Sequence, residues 1–226
     1  MKKLYVIHGW TYTTTPWEKT IEILKNEYGI SVEMLNVPGL TTNSKKIWTI
    51  EEYCDWADRN IPDGSIALGH SNGGRILLNL CAKKPEKLEH LILLDAAGVY
   101  EESKKREISR KLSKVFGFLK KSALLRKIFH KIVGASDYEH APENMKKTLV
   151  NMLSSDKKLD ISKVKTKTSI LWGEKDTITP LRQGEKMHDL IEGSTIYTYK
   201  NWTHAPYIVD PNGLARAINR VIEEKK

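Results

Sequence analysis

Short apolar runs and amphipathic stretches take turns along this chain. Runs rich in aliphatic and β-branched residues fall near positions 3–8, 30–36, 65–70, 89–95, 168–173 and 194–200, each about as long as a strand. Between them apolar residues return at helical spacing. Residues 16–28 set Trp17, Ile21, Leu24 and Tyr28 on one face, behind Thr15 as an N-cap; 50–60 carries Tyr53, Trp56 and Ala57; 73–82 carries Ile76, Leu77, Leu80 and Cys81. Stretches 180–191 and 211–222 both open on proline, whose missing N–H costs little in a first helical turn. Strand, helix, strand repeated in this way predicts an α/β fold, a reduced and mostly parallel six-stranded sheet with helices on both faces.

The alternation breaks once. Residues from about 99 to 167 separate the fourth apolar run from the fifth, far more chain than a crossover needs. The expected division is therefore a core of 1–98 and 168–226 with an inserted helical cap, or lid, at 99–167. Within it Leu112, Val115, Phe116, Leu119, Leu124, Leu125, Ile128, Phe129 and Ile132 recur at helical spacing, which predicts amphipathic helices.

Charge sharpens that division. The chain carries a formal +9, and residues 101–131 alone hold eleven Lys/Arg against three Glu, so nearly all the excess falls on the cap. A solvated outer face over an apolar underside, peripheral contact with anionic lipid, and steering of an anionic substrate are the three readings of such a face. Nucleic acid is excluded as a partner, because no groove-reading motif and no aromatic–basic interleaving accompany the charge.

At 226 residues and 40% hydrophobic the chain can bury one substantial core. No apolar run is long enough to cross a bilayer, and Met1-Lys2-Lys3 leads into a strand too short for a signal peptide, so cytoplasmic residence is the expectation. Cys54 and Cys81 sit in helical patterns without metal-ligand spacing and read as buried thiols, neither disulfide nor metal site.

The chemistry gathers where strands end. Ser65 to Gly69 runs as a strand into Gly69-His70-Ser71-Asn72-Gly73-Gly74 and then directly into a helix. A reversal that tight strains its apex and crowds its neighbours, which explains the glycines, and it lifts Ser71 above the sheet with the Asn72 amide at a helix N-terminus, where developing negative charge on oxygen is stabilised. A serine hydroxyl needs a base, and the base needs a partner that fixes its tautomer. Asp176 follows the strand ending Trp172-Gly173, and His204 follows the strand near 194–200. Ser71, Asp176 and His204 are thus the candidate nucleophile, orienting carboxylate and general base. Asp95, at the end of the fourth run, is the competing carboxylate.

Five ordered segments carry a resemblance: Ile7-His8-Gly9-Trp10, Val37-Pro38-Gly39, Gly69 to Gly74, Trp172-Gly173-Glu174-Lys175-Asp176 and Thr203-His204-Ala205-Pro206. Together they resemble the α/β-hydrolase-fold family, in its small cap-bearing serine esterase form. The resemblance implies a second oxyanion amide from the His-Gly segment, by position the backbone N–H of Trp10 beside that of Asn72. It implies hydrolysis of a small-molecule ester or acyl substrate through an acyl-enzyme, with no metal and no organic cofactor. Carbon–carbon hydrolysis and acyl transfer use the same triad, and a weakly catalytic binding module uses the same fold. The chain departs from the family pattern in lacking its opening hairpin, and in carrying Asn36 and Asn72 where aspartate and methionine are commoner. His8 and His70 read as packing groups, His90, His130, His140 and His188 lack paired ligands, and Trp10, Trp202 and Tyr207 are either pocket lining or framework.

Overall fold

The structure is a computed structural model and describes residues 2–100 and 141–224. Its strands are β1 (Lys2–Ile7), β2 (Ile30–Met34), β3 (Ser65–His70), β4 (Leu88–Leu94), β5 (Lys167–Gly173) and β6 (Thr195–Tyr199). They form one six-stranded sheet in the order β2-β1-β3-β4-β5-β6, with every neighbouring pair parallel. All strands therefore end on the same rim, and that rim is where the chemistry-bearing residues lie.

The helices are α1 (Glu18–Tyr28), α2 (Ile50–Asn60), α3 (Asn72–Lys83), α4 (Glu143–Ser155), α5 (Leu181–Leu190), α6 (Pro206–Val209) and α7 (Pro211–Glu223). Pleating divides the strand residues between two cores. Leu4, Val6, Leu68, Ile92 and Leu171 pack with Leu24 of α1 and Leu214, Ile218 and Val221 of α7. Tyr5, Ile7, Ala67, Leu91, Leu93, Ile170 and Trp172 face the other way, onto Tyr53 and Ala57 of α2, Ile76, Leu77 and Leu80 of α3 and Met187 of α5. Each large aliphatic side chain among them contributes roughly 1.5–3 kcal/mol by leaving water, so a sheet covered on both faces follows directly from apolar strands.

Two helix starts differ from the sequence reading. Thr15 does not cap α1: residues Thr15–Trp17 form a 3-10 turn with Pro16 inside it, and α1 begins at Glu18. The reason is local, since the Thr15 hydroxyl and amide both pair with the Thr13 hydroxyl at 3.2 Å. Pro180 sits one residue before α5 as its N-cap. Elsewhere the caps are explicit, with a reciprocal Thr49/Glu52 box on α2 and the Asp210 side chain accepting from Gly213 N–H on α7.

The basic helices expected over 101–131 lie outside the described residues. Of residues 99–167, the described elements ahead of β5 are α4 and the turn Ile161–Lys163. Helix α4 buries Met145, Leu149 and Met152, and its polar side chains grip the loop before α2: Asn144 Nδ2 donates to Ser44 O at 2.9 Å, Asn151 Nδ2 to Trp48 O at 3.0 Å, and Trp48 N–H donates to Thr148 Oγ1 at 2.9 Å. Cys54 and Cys81 are buried free thiols, whose burial pushes both up to about 12. Among the described residues no helix is long and apolar enough to cross a membrane.

Candidate active site

Ser71 stands between β3 and α3 with φ 51° and ψ −116°, a conformation a residue with a Cβ adopts only when its surroundings impose it. The surroundings are backbone. Ser71 N–H donates to Leu94 O at 3.1 Å, and Ser71 O accepts from Ala97 N–H at 2.9 Å, so the end of β4 holds the turn on both sides of the serine. A Cβ on Gly73 would lie 2.0 Å from Ile7 O, and one on Gly69 2.6 Å from Gly74 Cα. Only glycine lets β1, β3 and α3 approach this closely.

The loop after β5 supplies Asp176 and the loop after β6 supplies His204. His204 Nε2 lies 2.9 Å from Ser71 Oγ, and His204 Nδ1 lies 2.7 Å from Asp176 Oδ2. Because the carboxylate accepts at Nδ1, the proton sits there and Nε2 is left to accept from the serine hydroxyl. Ser71 and Asp176 are buried, and the His204 side chain keeps 17% exposure. The structure thus brings together Ser71, His204 and Asp176. Asp95 accepts instead from Gly173 N–H at 2.8 Å.

Asp176 is over-determined. Its Oδ1 accepts from Ile178 N–H at 2.7 Å and Thr179 N–H at 3.0 Å, and its Oδ2 accepts from the Thr179 hydroxyl at 2.7 Å as well as from His204. Burial pushes its carboxyl up, yet the His204 and Thr179 hydrogen bonds outweigh burial and hold it below the usual carboxylate range. The loop itself hangs from Trp172, whose indole N–H donates to Thr179 O at 2.9 Å.

His70, beside the serine, is buried. Burial first, then the neighbouring imidazole of His204, lowers it to about 3. As a neutral ring it donates from Nε2 to His204 O at 2.7 Å, which ties the histidine loop to the serine turn. Tyr207 stacks on Trp17 at 4.3 Å and meets His70 edge-on. Trp202 stacks on Tyr199 at 3.7 Å and donates to Asp210 Oδ2 at 2.9 Å. Both are framework.

Asn72 is the first residue of α3, where an N–H has no carbonyl one turn back to receive it. Its side chain accepts from Arg75, whose Nε and Nη2 clasp Asp156 at 2.6 and 2.9 Å in a buried pair joining α3 to the end of α4. Trp10 is buried just beyond Gly9, and a Cβ on Gly9 would lie 3.1 Å from Ser71 Cβ. The end of β1 therefore abuts the serine. Among the described residues no cluster of His, Cys, Asp or Glu could hold a metal ion.

Sequence reasoning missed Thr179, the His70 hydrogen bond and the Arg75–Asp156 pair. Thr179 alone left a trace, since a threonine three residues after a loop aspartate suits a side-chain-capped turn.

The fold has counterparts among known proteins. The family model for the alpha/beta hydrolase fold matches residues 3–117. The chain belongs to that family, and is a hydrolase. It is 26% identical to the pimeloyl-[acyl-carrier protein] methyl ester esterase of Neisseria meningitidis serogroup C, over 99% of this chain and 94% of that protein. In fold it is similar to a thermophilic esterase from Thermogutta terrifontis, with a TM-score of 0.70, 19% identity and coverage of 98% and 89%. A lipase-esterase related protein from Clostridium acetobutylicum superposes with a TM-score of 0.72, 16% identity and coverage of 97% and 93%.

Proposed function

We propose that this chain is a serine hydrolase of carboxylic esters, with Ser71 as nucleophile, His204 as general base and acid, Asp176 as orienting carboxylate, and the Trp10 and Asn72 amides as oxyanion donors. One observation carries the reading: a hydroxyl, an imidazole and a carboxylate in unbroken hydrogen-bonding succession, at 2.9 and 2.7 Å, beside a helix N-terminus. His204 takes the Ser71 proton as Oγ attacks the ester carbonyl, and the two amides receive the oxyanion. The imidazolium, balanced by Asp176, then protonates the departing alkoxide. Water repeats the sequence and releases the acid, and no step needs a metal or an organic cofactor.

The ester-cleaving names of the relatives favour an acyl ester as substrate, and the Neisseria protein's name favours a methyl ester. The division into a core of 1–98 and 168–226 and a lid of 99–167 belongs to the same reading. It draws support from the chain between β4 and β5, of which α4 packs over the loop before α2. Replacing Ser71 by alanine is expected to lower hydrolysis of p-nitrophenyl esters by several orders of magnitude, to abolish labelling by a fluorophosphonate, and to leave the melting temperature within a few degrees of the parent. Folded parent protein that takes up no fluorophosphonate overturns the reading.

A further inference from the structure

Asp95 is fully buried at the end of β4, and no step above uses it. Its backbone holds φ at 42°, in the region that L-residues avoid. Three contacts impose this: its N–H donates to Leu171 O at 3.0 Å, its carbonyl lies 2.9 Å from the Thr179 hydroxyl, and one carboxyl oxygen accepts from Gly173 N–H at 2.8 Å. The other carboxyl oxygen is buried and has no hydrogen-bond donor among the described residues. Beside it stands the carboxyl of Asp176, to which the same Thr179 hydroxyl also reaches.

Two ionised carboxylates in contact inside a protein repel strongly, and a buried charged oxygen without a donor is costly in itself. A single proton removes both penalties, because it turns the orphan acceptor into a donor facing Asp176. The proton belongs on Asp95. Asp176 takes hydrogen bonds from His204, Thr179 and Ile178, all of which favour its charged form, whereas Asp95 takes one.

We propose that Asp95 is a positioning residue for Asp176, carried as a neutral carboxylic acid whose O–H donates to the Asp176 carboxylate and sets its orientation toward His204. The proposal rests on the reading of Asp176 as the carboxylate that orients the base. Burial, opposed by the Gly173 N–H and reinforced by the Asp176 charge, raises the Asp95 carboxyl well above its ordinary range, while Asp176 is held below. Unequal environments split a carboxyl pair in this way. The titratable groups bearing on the pair are His204 and His70 around the serine, and Tyr207 of α6.

Two substitutions and one spectrum test the proposal. Asp95→Asn keeps an oxygen for Gly173 N–H and an N–H donor toward Asp176, so it mimics the neutral acid. Its rate of fluorophosphonate inactivation is expected within about twofold of the parent, and the acid limb of the pH profile stays in place. Asp95→Ala removes the donor, leaves Asp176 more basic, moves the acid limb to higher pH and slows inactivation near neutrality about tenfold. The parent's infrared spectrum near neutral pH contains a protonated-carboxyl stretch that the Asn variant lacks.

An acid limb that moves to lower pH in the Asn variant, or no such stretch in the parent, shows an ionised Asp95 and overturns the proposal. An unmoved acid limb in a folded Ala variant reduces Asp95 to framework and overturns it equally. Should Asp95→Ala fail to fold, the Asn profile and the infrared band still decide. A parent that reacts with no fluorophosphonate defeats the hydrolase reading instead, and the infrared comparison then still tests the protonation.

Discussion

Thr179 shows how much one side chain can carry. Its hydroxyl lies within hydrogen-bonding distance of Asp176 Oδ2, Asp95 O and His204 Nδ1, at 2.7, 2.9 and 3.1 Å. Removing that hydroxyl deprives a charged acceptor of a donor, a loss worth about tenfold in rate when it falls on a group proposed to balance an imidazolium. Thr179→Val is therefore expected to lower kcat about tenfold with KM little changed and the fold intact, which steady-state kinetics on a p-nitrophenyl ester would check. A loss confined to KM would place Thr179 on the substrate instead of on the carboxylate. The meeting of Ser71, Asp176 and His204 was legible in the sequence because each lies within a short motif just past a strand. Thr179, His70 and Arg75 were not, because their partners lie across loops or far along the chain: 134 residues separate His70 from His204, and 81 separate Arg75 from Asp156. No local pattern encodes such a pairing.

The elements were legible wherever apolar periodicity fixed them, which held for all six strands and their parallel pairing. Helix starts were read less well. At Thr15 a hydroxyl that could cap a helix was engaged by its neighbour Thr13, a choice among equivalent local bonds that spacing does not reveal. Helix α4 presents a different matter, since it meets α3 through a buried ion pair with side-chain exposures of 5% for Arg75 and 11% for Asp156. Breaking such a pair strands a charge. Asp156→Ala is expected to destabilise the protein by about 3 kcal/mol or more in chemical denaturation, whereas Arg75→Met together with Asp156→Leu recovers most of that loss. Equal destabilisation by the single and double variants would show that packing, and not the stranded guanidinium, sets the penalty.

At the scale of the molecule, acid should loosen the fold ahead of its surface ion pairs. His8, His70 and His90 are all buried and held below the ordinary 6.5, foremost by burial, with His90 at about 4 and His70 at about 3. A histidine whose folded value is depressed contributes stability that is complete above the unfolded value and is lost as pH falls toward the folded one. The melting temperature is expected to be level above about pH 7 and to drop by several degrees between about pH 6.5 and pH 4. His90→Asn, which removes one of these groups, should make the slope shallower; an unchanged slope would assign the loss to other groups. Asp176, held low, adds to the decline at still lower pH, and Asp95, held high, opposes it.

The parallel sheet has a further consequence for the order of events during synthesis. The serine turn is complete once α3 has emerged, and its strained backbone is fastened by β4 soon after. The imidazole, however, lies 133 residues beyond the serine, on the loop that follows the last strand to join the edge. On the proposed assignment a ribosome-bound chain carries its serine long before the histidine, so the nascent polypeptide is expected to stay without hydrolytic activity until residue 204 has been read.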